Sequence, residues 1–202
     1  MEQGRVAAVA GHKHIAVLIS TRYLNARLES RLGIIAHEYY HLWQDHLSGT
    51  TGIPSSRAVP RQGPLWLIEG CADYIEDVVL EFYSMKSFAS IPYVPLGAPL
   101  MAMESHTGAD ETFDGGEYYL GYYACEYLEK KAGKDAVLRT YWETLGKGAA
   151  WQEDFKTTFG ISREAFYGEF ENIRRLTPTP TRAPTRTPTP AATPTPATTP
   201  RP

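Results

Sequence analysis

Cysteine is scarce in this chain of 202 residues: there are two, Cys71 and Cys125, and no CxxC pair. That excludes a disulfide framework and a zinc ribbon. No apolar run comes near the roughly 18 residues that a membrane-spanning helix needs. The N-terminus, MEQGRVAAVAGHKHIAVLIS, lacks the ordered charge, apolar run and cleavage site of a signal peptide. Positive charge is not in excess. The last 26 residues, Thr177 to Pro202, hold three of the 20 basic residues and no acid, leaving 17 basic against 23 acidic groups in the rest. A net-acidic body argues against nucleic acid as the main partner. The same 26 residues lack aromatic side chains and any aliphatic larger than alanine, and hold nine of the 15 prolines and ten threonines. Such a segment cannot bury a core. The chain therefore divides into a folded domain, 1–176, and a solvated, extended Thr/Pro-rich tail, 177–202.

Within the body, His14–Ser20 (HIAVLIS) is short, apolar and β-branched, which predicts a strand. A strand needs a partner, in a hairpin or in strands upstream. From about Thr21 to Leu47 the spacing of Leu28, Leu32, Ile35 and Leu42 predicts a helix, interrupted by Gly33 and stopped by Gly49. Residues 48–63 are rich in Gly, Pro and Ser and read as a loop. Pro64 opens a second helix over 64–83. Residues 84–115 are irregular, with Pro92, Pro95 and Pro99 among glycines, and their length suits a lid or rim. Four helices follow, at about 117–131, 134–145, 149–158 and 162–175, punctuated by Gly133, Gly146, Gly148 and Gly160, with Ser162 as an N-cap. The expected class is α+β, mainly helical, with a short N-terminal strand or partial sheet and a C-terminal helical subdomain.

The first predicted helix carries His37-Glu38-Tyr39-Tyr40-His41, an HExxH motif. Histidines at i and i+4 share a helix face, so both rings reach one Zn²⁺, and the glutamate beside the first reaches a metal-activated water. A catalytic site needs a third protein ligand. The second helix offers Glu69 and Asp73, also one turn apart. One can bind metal, and the other can accept the free N–H of a ligand histidine and fix its tautomer. A solvated acidic stripe is the plainer reading, but their neighbours Trp66, Leu67, Ile68, Cys71 and Ala72 make a poor solvated face.

HExxH followed on a later helix by Trp66-Leu67-Ile68-Glu69-Gly70-Cys71-Ala72-Asp73-Tyr74 resembles the gluzincin metallopeptidases. The likeness is greatest to bacterial peptidase MA-like domains, and more distant to the leukotriene-hydrolase and aminopeptidase catalytic domain. The resemblance implies a zincin-like fold with His37, His41 and Glu69 as zinc ligands, Glu38 as general base and Asp73 supporting a histidine. Glu117-Tyr118-Tyr119-Leu120-Gly121-Tyr122 resembles the family's YxxG helix start, which implies Tyr118 as the oxyanion donor. Tyr119 and Tyr122 are close alternates, because a register error is easy at a helix start. The stretch from Tyr127 through AWQEDFKTTFGISREAFYGEF looks like the helical cap of these domains. The likeness spans about residues 10–175.

Two features depart from the family. Twenty-seven residues separate His41 from Glu69, so 48–63 reads as an insertion, and the Gly-x-Met-x-Asn element of the aminopeptidase branch is absent. Other metal schemes fit less well. A metzincin would need a glycine and a histidine at spacings that His46 does not satisfy. Glu69-Gly70-Cys71 is similar to the deformylase EGC element, but there it precedes HExxH, so Cys71 is expected in the core. His12, His14 and His106 have no partner pattern. A Cys71–Cys125 disulfide needs the two helices to pack.

The sequence-level expectation is a zinc-dependent hydrolase acting on peptide or protein substrates, with no nucleic-acid partner and no transmembrane segment in this chain. The alternative is an exported surface binding or adhesion module that keeps the fold without turnover; the intact Glu38 speaks against it. The tail resembles the surface stalk of an exported bacterial protein, or else an inert interdomain linker. Both readings place an anchor or further domain beyond Pro202, and the stalk reading places the chain outside the cell or at its surface.

Overall fold

A computed structural model describes residues 8–11, 14–17, 25–49, 63–85, 98–105, 116–145 and 150–176. Residues 50–62 of the loop 48–63, most of 84–115 and the tail 177–202 lie outside these residues, as do His12 and His106.

Two strands, β1 (Ala8–Gly11) and β2 (His14–Val17), form an antiparallel hairpin with Ala8 opposite Val17 and Gly11 opposite His14. The predicted strand thus has a partner, and it comes from AVAG, a segment without strand signal. The hairpin rests on helix α1 (Leu28–Ser48). Every other described element is helical: α2 (Leu65–Phe82), a 3₁₀ segment (Leu100–Ser105), α3 (Gly116–Ala132), a π-helical turn (Ala136–Thr140) running into α4 (Tyr141–Thr144), α5 (Trp151–Phe159) and α6 (Arg163–Leu176). This overturns the α+β expectation. Two strands of four residues cannot supply a layer on which helices pack, and the class is helical. The 3₁₀ segment also corrects part of 84–115, which had been expected to be irregular.

Local chemistry sets the helix ends. Gly49 closes α1 at φ 67°, and Gly160 closes α5 at φ 68° while its N–H bonds Lys156 O. Both adopt the left-handed conformation that glycine tolerates. Pro64 sits one step before α2, and its carbonyl accepts from the Leu67 and Ile68 N–H groups at 2.9 and 3.3 Å. Ser162 caps α6 by accepting from Ala165 N–H at 3.3 Å.

The core is aromatic and lies among α2, α3, α4, α5 and α6. Trp66, Tyr141, Trp142, Phe155 and Phe166 are fully buried. Trp66 stacks on Phe166 at 5.7 Å, and its indole N–H donates to Tyr167 Oη at 3.2 Å. The buried phenol of Tyr40 donates to Leu138 O in the π turn at 3.2 Å, pinning α1 to the far side of the bundle.

Helices α2 and α3 cross backbone to backbone. A Cβ on Gly70 would lie 2.2 Å from Gly121 C, and one on Gly121 would lie 2.2 Å from Trp66 O. Both obstacles are main chain and cannot swing aside. Gly121→Ala is therefore expected to destabilise the fold by about 3 kcal/mol, the upper end for overpacking, read as a lower urea midpoint. A midpoint equal to wild type would show that the helices separate freely.

Candidate metal centre

Helix α1 turns a polar face to α2. Its buried residues are Gly33, Tyr40, Gln44 and Ser48, whereas Leu28, Ile35, Tyr39 and Trp43 are exposed. The apolar spacing that predicted the helix does not mark its buried side among the described residues. The two helices run antiparallel along this face. From one end to the other, Gly33 meets Glu76, His37 meets Asp73 and Glu69, His41 meets Glu69, and Gln44 meets the Ile68 carbonyl.

At the centre, three donor atoms converge. His37 Nε2 lies 3.2 Å from Glu69 Oε2, His41 Nε2 lies 3.3 Å from the same oxygen, and the two Nε2 atoms are 3.1 Å apart. Donors held 2.0–2.2 Å from one tetrahedral ion would be ~3.3–3.6 Å apart, so the triangle is close to the size that zinc requires. The outer nitrogens are held as well. His37 Nδ1 donates to Asp73 Oδ1 at 2.9 Å, and His41 Nδ1 donates to Gln44 Oε1 at 2.8 Å. Gln44 is oriented in turn by donating its amide to Ile68 O at 3.1 Å. With both Nδ1 atoms protonated, both Nε2 lone pairs face the shared centre, as metal-ligating histidines require. Side-chain exposure between 13% and 24% for His37, His41, Glu69 and Asp73 leaves the cluster reachable from solvent.

Without a cation these groups must share protons. Burial disfavours a charged His37 ring, but hydrogen bonds and charge from Asp73 and Glu69 outweigh it and raise its pKa to about 10. His41 is opposed by burial and raised by Glu69. Burial also opposes ionising Glu69, yet its two histidine partners hold it down at about 2. Two imidazolium nitrogens 3.1 Å apart would repel, and a divalent cation would replace the shared protons. Hence zinc uptake at neutral pH is expected to release protons, and zinc affinity to rise with pH toward about 10. The metal-free fold should behave oppositely. Because the His37 pKa is raised on folding, its stabilisation is complete below 6.5 and is lost as pH rises through about 10. Zinc titrations in buffers of different ionisation enthalpy read the proton release. Buffer-independent heats at pH 7 would contradict it.

Tyr118, on the first turn of α3, stands with its ring 6.1 Å from that of His37. Its hydroxyl bonds Glu69. Burial, then the charges of Glu69, Asp73 and Glu38, hold the phenol protonated. The Gly70–Gly121 crossing accounts for this placement: Glu69 precedes one glycine, and Tyr118 is one turn before the other. The alternates point elsewhere. Tyr119 is exposed, and Tyr122 bonds Asp77 beside Tyr74. Glu38 is half-buried next to His37. His46 is exposed against Trp43, 5.7 Å between ring centres, and lies outside the cluster. If Tyr118 is the oxyanion donor, Tyr118→Phe should lower kcat by about 10²–10³-fold with little change in KM. Steady-state kinetics on a peptide substrate reads this, and an unchanged kcat would remove that role.

Two residues of this face were not singled out in the sequence. Gln44 lies three positions after His41, a helical neighbour whose carbonyl partner is visible only once α2 is in place. Glu76 lies three positions after Asp73, with a carboxylate oxygen within 4.8 Å of His37 and Asp73 donors. Burial first, then the charge of Asp73, pushes its carboxyl up to about 7 while His37 pulls it down. Glu76 Oε1 lies 2.1 Å from where a Cβ on residue 33 would sit, so a methyl there would displace the carboxylate. The glycine that interrupts the apolar pattern of α1 makes room for it.

No family model, curated protein or solved structure matches the chain. Among the described residues, no helix is long and apolar enough to cross a membrane.

Proposed function

We propose that the chain is a zinc-dependent hydrolase of peptide bonds, with His37, His41 and Glu69 holding the metal. One observation carries the reading: three nitrogen and oxygen donors converge at 3.1–3.3 Å, with the outer nitrogen of each histidine already committed to Asp73 or Gln44. The donor set suits zinc, which favours imidazole and carboxylate at tetrahedral spacing and in catalytic sites takes three protein ligands. When bound, zinc supplies a Lewis acid and acidifies water.

The chain's own residues do the rest. Asp73 and Gln44 keep the Nδ1 protons in place, so neither ligand ring can turn. Glu38 accepts a proton from the attacking water and returns it to the leaving amine. Tyr118, kept protonated by its buried acidic surroundings, donates a hydrogen bond where the carbonyl oxygen becomes negative. The composition of the Thr/Pro-rich tail suits the surface stalk of an exported protein.

Metal analysis combined with cleavage of casein tests the proposal. Bound zinc with casein cleavage that a chelator stops would support it. Stoichiometric zinc with no cleavage of casein or shorter peptides would instead favour a binding module.

A further inference from the structure

Cys71 on α2 and Cys125 on α3 take no part in the chemistry above. Both are thiols in the structure and both are fully buried, with their sulfur atoms 2.7 Å apart. They are the only cysteines in the chain. A disulfide needs Cα atoms within about 4.4–6.8 Å of each other, so the helices that carry the two cysteines must pack closely. The Gly70–Gly121 crossing brings the two main chains into contact, and Cys71 and Cys125 lie one and four residues beyond it. Among the described residues neither sulfur belongs to a cluster of metal-ligating groups, and the chain has no other thiol to compete.

We propose that Cys71 and Cys125 form an intramolecular disulfide when the chain folds under oxidising conditions, stapling α2 to α3. The step is thiol–disulfide exchange with a small disulfide such as oxidised glutathione or with a disulfide-carrying oxidoreductase. One cysteine thiolate attacks the carrier's disulfide, gives a mixed disulfide and expels the first carrier thiol. The second cysteine attacks the protein sulfur of that mixed disulfide and expels the other. Two protein thiols and one carrier disulfide become one protein disulfide and two carrier thiols, so electrons and protons balance. Burial places the exchange during folding, before the core closes. The bond would lie two residues after Glu69 on α2 and on the same helix as Tyr118. It would therefore fix the element that bears the third proposed ligand against the element that bears the proposed oxyanion donor. The inference does not depend on the metallopeptidase reading, because the packing of α2 on α3 stands without a metal.

The test uses the full chain, unfolded under reducing conditions and refolded in a glutathione redox buffer, then denatured with an alkylating agent. The expected result is that neither cysteine is alkylated until a reductant is added. Digestion of the unreduced protein should give one fragment joining the peptides that carry Cys71 and Cys125. Closing a loop over 54 positions should make the oxidised form melt about 10 °C higher than the reduced form. Alkylation of both cysteines without reductant, or disulfide-linked dimers in place of the internal bond, would overturn the proposal. Equal melting temperatures of the oxidised and reduced forms would overturn the stapling role.

Discussion

Glu38→Gln is expected to bind zinc as wild type does and to lose kcat by about 10²–10⁴-fold, the usual share of a general base. The amide is nearly isosteric with the carboxylate but cannot accept the proton. Glu38 is half-buried beside His37, outside the set of converging donors, so the substitution leaves His37, His41 and Glu69 in place. Metal analysis of the purified variant, alongside the rate of peptide cleavage, separates the two effects. A variant that loses zinc would place Glu38 in the metal's coordination shell. A variant as active as wild type would remove the mechanism.

Glu69→Ala is expected to lose both zinc and activity. Glu69 Oε2 is the atom within 3.3 Å of both histidine Nε2 atoms, and Tyr118 also bonds this carboxylate. Without it, two imidazoles remain, and the site has two protein donors where catalytic zinc takes three. Losing a side chain that only orients a ligand typically weakens metal binding by about 10–100-fold, and removal of a ligand should exceed that. The fold should survive, since the partly exposed Glu69 side chain is not part of the aromatic core. Zinc affinity measured against a chromophoric chelator, with circular dichroism as the control for folding, reads the result. Wild-type affinity in a folded variant would assign the third ligand elsewhere.

Much of this centre was legible in the sequence because it is written at helical spacing. His37 and His41, and Glu69 and Asp73, are each one turn apart, and any helix puts such pairs on one face. Tyr118 was legible only through its resemblance to a YxxG start. Its position depends on Gly121 meeting Gly70, and no local rule pairs two glycines 51 positions apart. Gln44 and Glu76 were missed for a similar reason: each earns its role from a partner on the opposite helix. The fold class was misjudged because a β-branched run and a zincin-like motif set together implied a sheet, whereas the described residues hold only a hairpin against α1. The partner strand AVAG carries no signal of its own. The apolar spacing of Leu28 and Ile35 predicted a helix correctly but does not mark its buried face, because the side of α1 that meets α2 is built largely from polar groups.

Zinc K-edge X-ray absorption on the zinc-loaded chain tests the ligand set most directly. The zinc is predicted to be surrounded by two imidazole nitrogens and carboxylate oxygen at about 2.0–2.2 Å, with no sulfur near 2.3 Å. Glu69→Ala should abolish the bound-zinc signal at equal protein concentration. A sulfur scatterer near 2.3 Å, or a shell with fewer than two imidazoles, would contradict the assignment of His37, His41 and Glu69.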